Sequence, residues 1–259
     1  MSLIVPMKPT PNSDRMPTSP ESNRASSLLA FGAHPDDIEF GCGAVVALET
    51  RAGRAAHLVV CSRGESATNG TPETRTRETE AAAALLGATL EFVELDGDAH
   101  LEIKTVHALK LAAILREKRP SIVLAPTLEE NQHPDHARLG RLVRDATRLA
   151  RYGGVAELRH LPPHSIDHLL FYAISPDAEI TDVPPLLVDV SEPAVVQQWT
   201  AAMTAHGSQA ATRNYVELQL TRARLHGLRA GVQHAVPLWS NDSLVVSSLS
   251  ALERSARRF

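Results

Sequence analysis

Residues 28–37 read Leu28-Leu29-Ala30-Phe31-Gly32-Ala33-His34-Pro35-Asp36-Asp37, and this stretch decides the fold. A short apolar run of this kind is the signature of a strand buried on both faces, as in a parallel sheet. A histidine and two aspartates follow it at once, so polar chemistry is set at the carboxyl end of the strand. From Ser27 onward, further apolar runs alternate with helix-period segments, the pattern of βαβ units. Strands are predicted at 28–32, 57–61, 90–93 and 122–125, and helices over 43–51 and 75–86, the first closed by Gly53 and the second by Gly87. Ile103, Val106, Leu111, Ile114 and Leu115 mark another helix, which must stop before Pro120. Leu139, Leu142, Val143, Ala146 and Ala150 mark a fourth. Beyond Gly154 the pattern loosens, with strands expected at 169–174 and 186–190 and helices at 195–205 and 215–228. The fold class is α/β with a mainly parallel sheet.

The rest of the chain narrows the function. With 26 Lys+Arg against 30 Asp+Glu the net charge is −4, which gives no global pull toward phosphate backbones, so no nucleic-acid partner is expected. No apolar stretch approaches the roughly 18 residues of a membrane span. Cys42 and Cys61 are the two cysteines, too few for a disulfide framework, and a cytoplasmic address is the default expectation. Residues 1–26 hold five of the 17 prolines and almost no apolar content. They are read as a disordered tail, and 27–259 as a single domain.

A second polar cluster, His133-Pro134-Asp135-His136, follows the strand at 122–125 after a short loop. Both clusters therefore fall at the carboxyl ends of parallel strands, where open α/β sheets build their sites. In each, proline holds the preceding histidine in extended backbone. Two imidazoles with one carboxylate make a ligand set that leaves a coordination position open for water, the composition of a catalytic zinc site. Neighbouring loop side chains diverge, so of Asp36 and Asp37 one is expected to bind metal and the other to accept the proton of the activated water. His133, three residues before the ligand His136, is placed to stabilise an oxyanion or protonate a leaving group. Asp135 is placed to orient one of the imidazoles from behind.

At these residues the sequence resembles the PIG-L/LmbE-like family of zinc-dependent N-deacetylases, most closely the bacillithiol-biosynthesis type. The likeness runs through residues 33–43, Ser62-Arg63-Gly64-Glu65, Arg77 ahead of an alanine-rich helix, and residues 133–136. It implies a Rossmann-like three-layer fold, a divalent metal (Zn2+, with Fe2+ as the alternative) and removal of an N-acetyl group from a small amino-sugar substrate. Position by position it implies His34, Asp37 and His136 as metal ligands, Asp36 as general base and His133 as the acid or oxyanion partner. Arg77 matches the substrate-binding arginine, with Arg75 as the alternative register. The chain departs from the family at residues 231–237, Gly-Val-Gln-His-Ala-Val-Pro, which bears on the substrate.

Other features carry weaker signals. Gly41 and Gly43 do not form a dinucleotide fingerprint and are read as letting a helix start near the metal loop. Cys42 reads as a small buried hydrophobe. Arg138, Arg141, Arg144, Arg148 and Arg151 recur at helical spacing as one basic face, either solvated, in contact with a second subunit of a homo-oligomer, or rimming the site for an anionic substrate. His234 falls in a loop expected to close over the substrate. Two other functions compete with the hydrolase. A non-haem iron oxygenase uses the same two histidines and carboxylate but has no use for a second carboxylate beside the metal. A catalytically silent metal-binding module would need neither Asp36 nor His133.

Overall fold

Ser27–Gly32 (β1) sends alternate side chains into two separate cores, Leu28 and Ala30 to one and Leu29 and Phe31 to the other, as a strand covered on both faces must. The computed structural model describes residues 27–130, 133–210 and 214–256; the tail expected over 1–26 lies outside them. After β1 come α1 (Asp37–Arg51), β2 (Ala55–Val60), α2 (Pro72–Leu85), β3 (Thr89–Phe92), α3 (Thr105–Lys118), β4 (Ile122–Pro126) and α4 (Pro134–Arg151). The remainder supplies β5 (His168–Tyr172), β6 (Leu186–Asp189), α5 (Pro193–Ala205), α6 (Gly207–Ala210), α7 (Tyr215–Ala230) and β7 (Ala235–Ser240).

The strands form one sheet in the order β3-β2-β1-β4-β5-β7-β6. The first five are parallel, and β7 runs antiparallel to both β5 and β6. One core lies between the sheet and α1, α2, α5 and α7; the other lies under α3 and α4. This is the three-layer, Rossmann-like α/β arrangement with a mainly parallel sheet. The chain steps outward from β1 through β2 to β3, then returns to place β4 on the other side of β1. The connections therefore diverge at the carboxyl ends of β1 and β4, the crevice in which such sheets bind ligands.

Two expectations are corrected. The first helix begins at Asp37 rather than near residue 43, and Gly41 and Gly43 lie inside it. A Cβ on Gly41 would run into the Tyr172 ring, and one on Gly43 would sit 2.9 Å from Trp199 Cδ1. The glycines therefore admit two aromatic rings against the helix and do not start it. The segment from residue 235 is a strand, not a loop. Pro237 disguises it, since proline argues against an interior strand. Pairing of β7 with β5 covers only Leu238–Ser240, while β6 pairs through Pro237.

Arg116, 1% exposed, closes the far end of α4. Its guanidinium donates to the carbonyls of Leu149, Ala150, Tyr152, Leu158 and Leu161 at 2.6–3.2 Å. Helix ends leave their last carbonyls without intrahelical partners, and here one buried cation satisfies several of them.

Candidate metal centre and active site

The two adjacent aspartates are separated by backbone conformation. Asp36 precedes α1 with φ 102°, a left-handed region that non-glycine residues rarely occupy and that concentrates at functional sites. This turns the Asp36 carboxylate away from that of Asp37. Asp37 is buried, and its Oδ2 accepts hydrogen bonds from the backbone N–H groups of Ala33 and His34 at 2.8 and 2.9 Å. That fixes the loop between β1 and α1. Its Oδ1 lies 3.1 Å from His136 Nε2, and His34 Nδ1 lies 3.6 Å from Oδ2.

His34 presents its two nitrogens in opposite directions. Nδ1 faces Asp37, while Nε2 lies 3.1 Å from Asp98 Oδ1 and 3.3 Å from Asp135 Oδ2. Asp98 carries no signal in the sequence, because Gly97-Asp98-Ala99 reads as a surface turn. It is 5% exposed, its Oδ1 also lies 3.5 Å from His133 Nε2, and its backbone N–H is held by Glu65 at 3.0 Å. Asp135, expected to orient an imidazole, lies 3.3 Å from His34 Nε2; its carboxylate is anchored by the Ala99 N–H and by Arg138. The rings of His34, His133 and His136 lie within 4.2–5.4 Å of one another, centroid to centroid.

The two candidate arginines separate cleanly. Arg77 lies exposed on α2 and donates to the Glu73 carbonyl of its own helix. Arg75 is buried and donates to the Pro35 carbonyl at 2.6 Å and to Asp36 Oδ2 at 3.2 Å. Residues two apart on a helix point to different faces, so Arg75, not Arg77, reaches the motif. Its path explains Gly64, since a Cβ there would sit 2.6 Å from Arg75 Cζ and 2.8 Å from Cδ. Ser62, earlier in the same segment, donates to the Ala33 carbonyl at 2.8 Å and ties the loop down.

Charge follows from these contacts. Burial penalises a charged His34, but Asp37, Asp135 and Asp98 outweigh it and hold its pKa well above that of an ordinary histidine. Burial likewise opposes ionisation of Asp37, and His136 and His34 reverse this, keeping it well below the usual carboxylate range. Asp36 goes the other way. Burial pushes it up to about 6 against the pull of Arg75, into the range suited to a base working near neutrality.

The donor set fits a divalent ion. Tetrahedral ligand atoms about 2.0–2.1 Å from zinc stand roughly 3.4 Å apart; Asp37 makes contacts near that spacing through separate oxygens, Oδ1 to His136 at 3.1 Å and Oδ2 to His34 at 3.6 Å. The carboxylates behind His34 match the acid–histidine pairing typical around metal ligands. Two overlapping groups of donors also draw together here: His34 with His133 and His136, and His34 with Asp98, His133 and Asp135. Neither group includes Asp37, whose two oxygens instead lie against His34 and His136.

Other sequence candidates fall elsewhere. His234 lies beside the end of β6, three strands beyond β4, with its backbone N–H on Ser191 Oγ. His164 is buried and donates from Nε2 to the Pro120 carbonyl at 2.7 Å. Cys42 and Cys61 are buried, and burial holds both thiols protonated. Among the described residues, no helix is long and apolar enough to cross a membrane.

A sheet with its crevice at the β1–β4 switch, lined by two histidine–aspartate loops, defines a class of metal-site α/β proteins. Residues 29–147 match the family described as PIG-L, GlcNAc-PI de-N-acetylase. The uncharacterized deacetylase YaiS of Escherichia coli (strain K12) is 35% identical over 121 residues, 44% of this chain and 64% of that one. A 4-oxalmesaconate hydratase of Pseudomonas putida is 31% identical over 140 residues, 49% of this chain and 54% of that one. The matches thus span less than two thirds of these two curated relatives. The crystal structure of the conserved protein TT1542 from Thermus thermophilus superposes with a TM-score of 0.77 at 32% identity, covering 88% of this chain and all of the other. The chain belongs to the PIG-L (LmbE-like) deacetylase family.

Proposed function

We propose that the protein is a metal-dependent hydrolase that removes an N-acetyl group from a glucosamine-containing substrate. The observation that carries this is the divergence of Asp36 and Asp37: one carboxylate faces two imidazoles, while the other, 16% exposed, is turned away beside Arg75. His34, Asp37 and His136 would hold the ion, zinc in our reading and ferrous iron in the alternative. When bound, the ion supplies an acidified water and polarises the acetyl carbonyl. Asp36 accepts the proton of that water. His133, paired with Asp98, donates to the departing nitrogen and stabilises developing negative charge. Asp135 and Asp98 keep His34 turned so that Nδ1 faces Asp37. Arg75 positions Asp36 from α2. An oxygenase or a silent metal module would leave Asp36 without a task.

The hydratase among the relatives makes addition of water to a polycarboxylate a second reading, since the same base and ion serve that reaction. The crevice favours the amino sugar. Asp36, Asp37, Asp98 and Asp135 crowd it, while Arg75 and Arg138 are each engaged by one of those carboxylates, which leaves little to attract a polyanion. The test follows acetate and free amine release across N-acetylglucosamine derivatives, including thiol-precursor glycosides and N-acetylated oligosaccharides, beside 4-oxalmesaconate hydration. Hydration without amine release would overturn the proposal.

Two substitutions probe the assignments. Asp37→Ala is expected to cut metal affinity by at least roughly 10-fold to 100-fold, because it removes the anionic ligand; full occupancy after dialysis would sink the ligand set. Arg75→Ala should lower kcat/KM by more than about tenfold, whereas Arg77→Ala should leave it within about twofold. The reverse order, read on the same substrate, would return the role to Arg77.

A further inference from the structure

The arginine stripe of α4 divides in two. Arg138 and Arg141 are taken up near the active-site end, Arg138 by Asp135 and the Leu101 carbonyl and Arg141 by Glu130 and the Leu128 carbonyl. Arg144, Arg148 and Arg151 instead line a separate cavity of about 330 Å³. Its other walls are Ser165, Ile166, Asp167 and Leu169, which lead into β5, and Asn241 and Asp242, which follow β7. The Asn241 N–H donates to the Leu169 carbonyl at 3.0 Å, so these walls meet at the amino end of β5, the pole opposite the metal centre. At 1.5 Å rise per residue, the three arginines lie roughly 12–22 Å along the helix from His136.

These arginines are underused. Among the described residues, Arg144 makes no side-chain hydrogen bond or ion pair, although its Nε is buried. Arg148 has a single exposed contact, 3.4 Å to Asp145 one turn earlier, the kind of pair worth little. Arg151 stacks over its neighbour Tyr152 at 5.3 Å. Three guanidinium groups thus share one concave wall in a chain of net charge −4, and across from them stand two carboxylates and an amide.

We propose that this cavity binds a small phosphate ester carrying free hydroxyls, such as a sugar phosphate. The guanidinium forks match phosphate oxygens in bidentate geometry. Asp167, Asp242, whose Oδ2 also accepts from the Asn241 amide at 2.8 Å, and the Asn241 amide oxygen accept the hydrogens of the sugar hydroxyls, which inorganic phosphate lacks and which offset the repulsion between the two carboxylates and the phosphate. The volume is at the small end of ligand sites, about 300–1,000 Å³, so it suits one phosphorylated ring.

The test is calorimetric titration of the full chain with inorganic phosphate, glucose 6-phosphate and glucose at constant ionic strength. Glucose 6-phosphate should saturate with a Kd at least about tenfold below that of phosphate, and glucose should not bind. Arg144→Gln should weaken glucose 6-phosphate about tenfold or more, and Asp242→Asn should bring it close to phosphate. Arg229→Gln, an exposed arginine on α7, should change nothing. Phosphate held by the metal centre would be the same in all of these variants, so the difference between them reports the distal cavity. Absence of saturation by about 10 mM glucose 6-phosphate, equal affinity for it and phosphate, or undiminished binding in the Arg144→Gln/Arg148→Gln double variant would each overturn the proposal.

Discussion

Asp36→Asn is expected to reduce turnover roughly 10²–10⁴-fold while the protein keeps its metal, the usual loss when a positioned general base is removed. The substitution is well matched to the site. Asparagine is among the few non-glycine residues that tolerate the left-handed backbone imposed at φ 102°. Its amide oxygen still accepts the Arg75 N–H that reaches Asp36 at 3.2 Å. What disappears is the capacity to take a proton near neutrality. His133→Ala should also retain metal and lose rate, and the double variant should lose less than the product of the two, because both groups serve one transition state. Metal content and kcat/KM measured on the same preparations decide the matter. Loss of the ion in Asp36→Asn, or near-native turnover, would require exchanging the roles of the two aspartates.

Arg116→Met should destabilise the fold by about 3–5 kcal/mol, the range for breaking a buried charged network. Methionine fills much of the volume but removes all five charged hydrogen bonds of 2.6–3.2 Å; the Leu149, Ala150, Tyr152 and Leu158 carbonyls keep one backbone N–H each, and the loss of charge-assisted bonds to buried acceptors is costly. For a chain of this size that amounts to a fall in Tm on the order of 10 °C. Calorimetry of both proteins checks it, and a change under about 2 °C would show that water replaces the guanidinium.

Much of the site is legible in the sequence because its residues sit where strand patterning ends. The run at 28–32 and the histidine–aspartate pairs after it imply each other, and the same holds for 122–125 and 133–136. What stays hidden depends on approach through space. Asp98 has no local signal, since only folding brings its carboxylate to His34 and His133. The choice between Arg75 and Arg77 turns on which side of α2 faces the β1–α1 loop, and that depends on packing. The start of α1 is misplaced by local reading because glycine looks like a helix breaker, whereas Gly41 and Gly43 are required by the rings of Tyr172 and Trp199. Strand β7 is hidden by Pro237 because that interruption is harmless only once β6 and β5 flank it.

Every group assigned to the proposed reaction lies before β5, between His34 and His136, yet β1 and α1 are braced from β5 and α5. Tyr172 donates from its hydroxyl to the Phe31 carbonyl at 2.6 Å, and Trp199 from Nε1 to the Glu39 carbonyl at 2.7 Å. The molecule therefore separates inheritance of the reaction from inheritance of its setting. Drift across the last hundred or so residues could reshape what the crevice admits while leaving the proposed hydrolytic groups intact, as long as those two rings stay in place. Tyr172 and Trp199 are the toll on that freedom, and diversification of this chain would have to be routed around them.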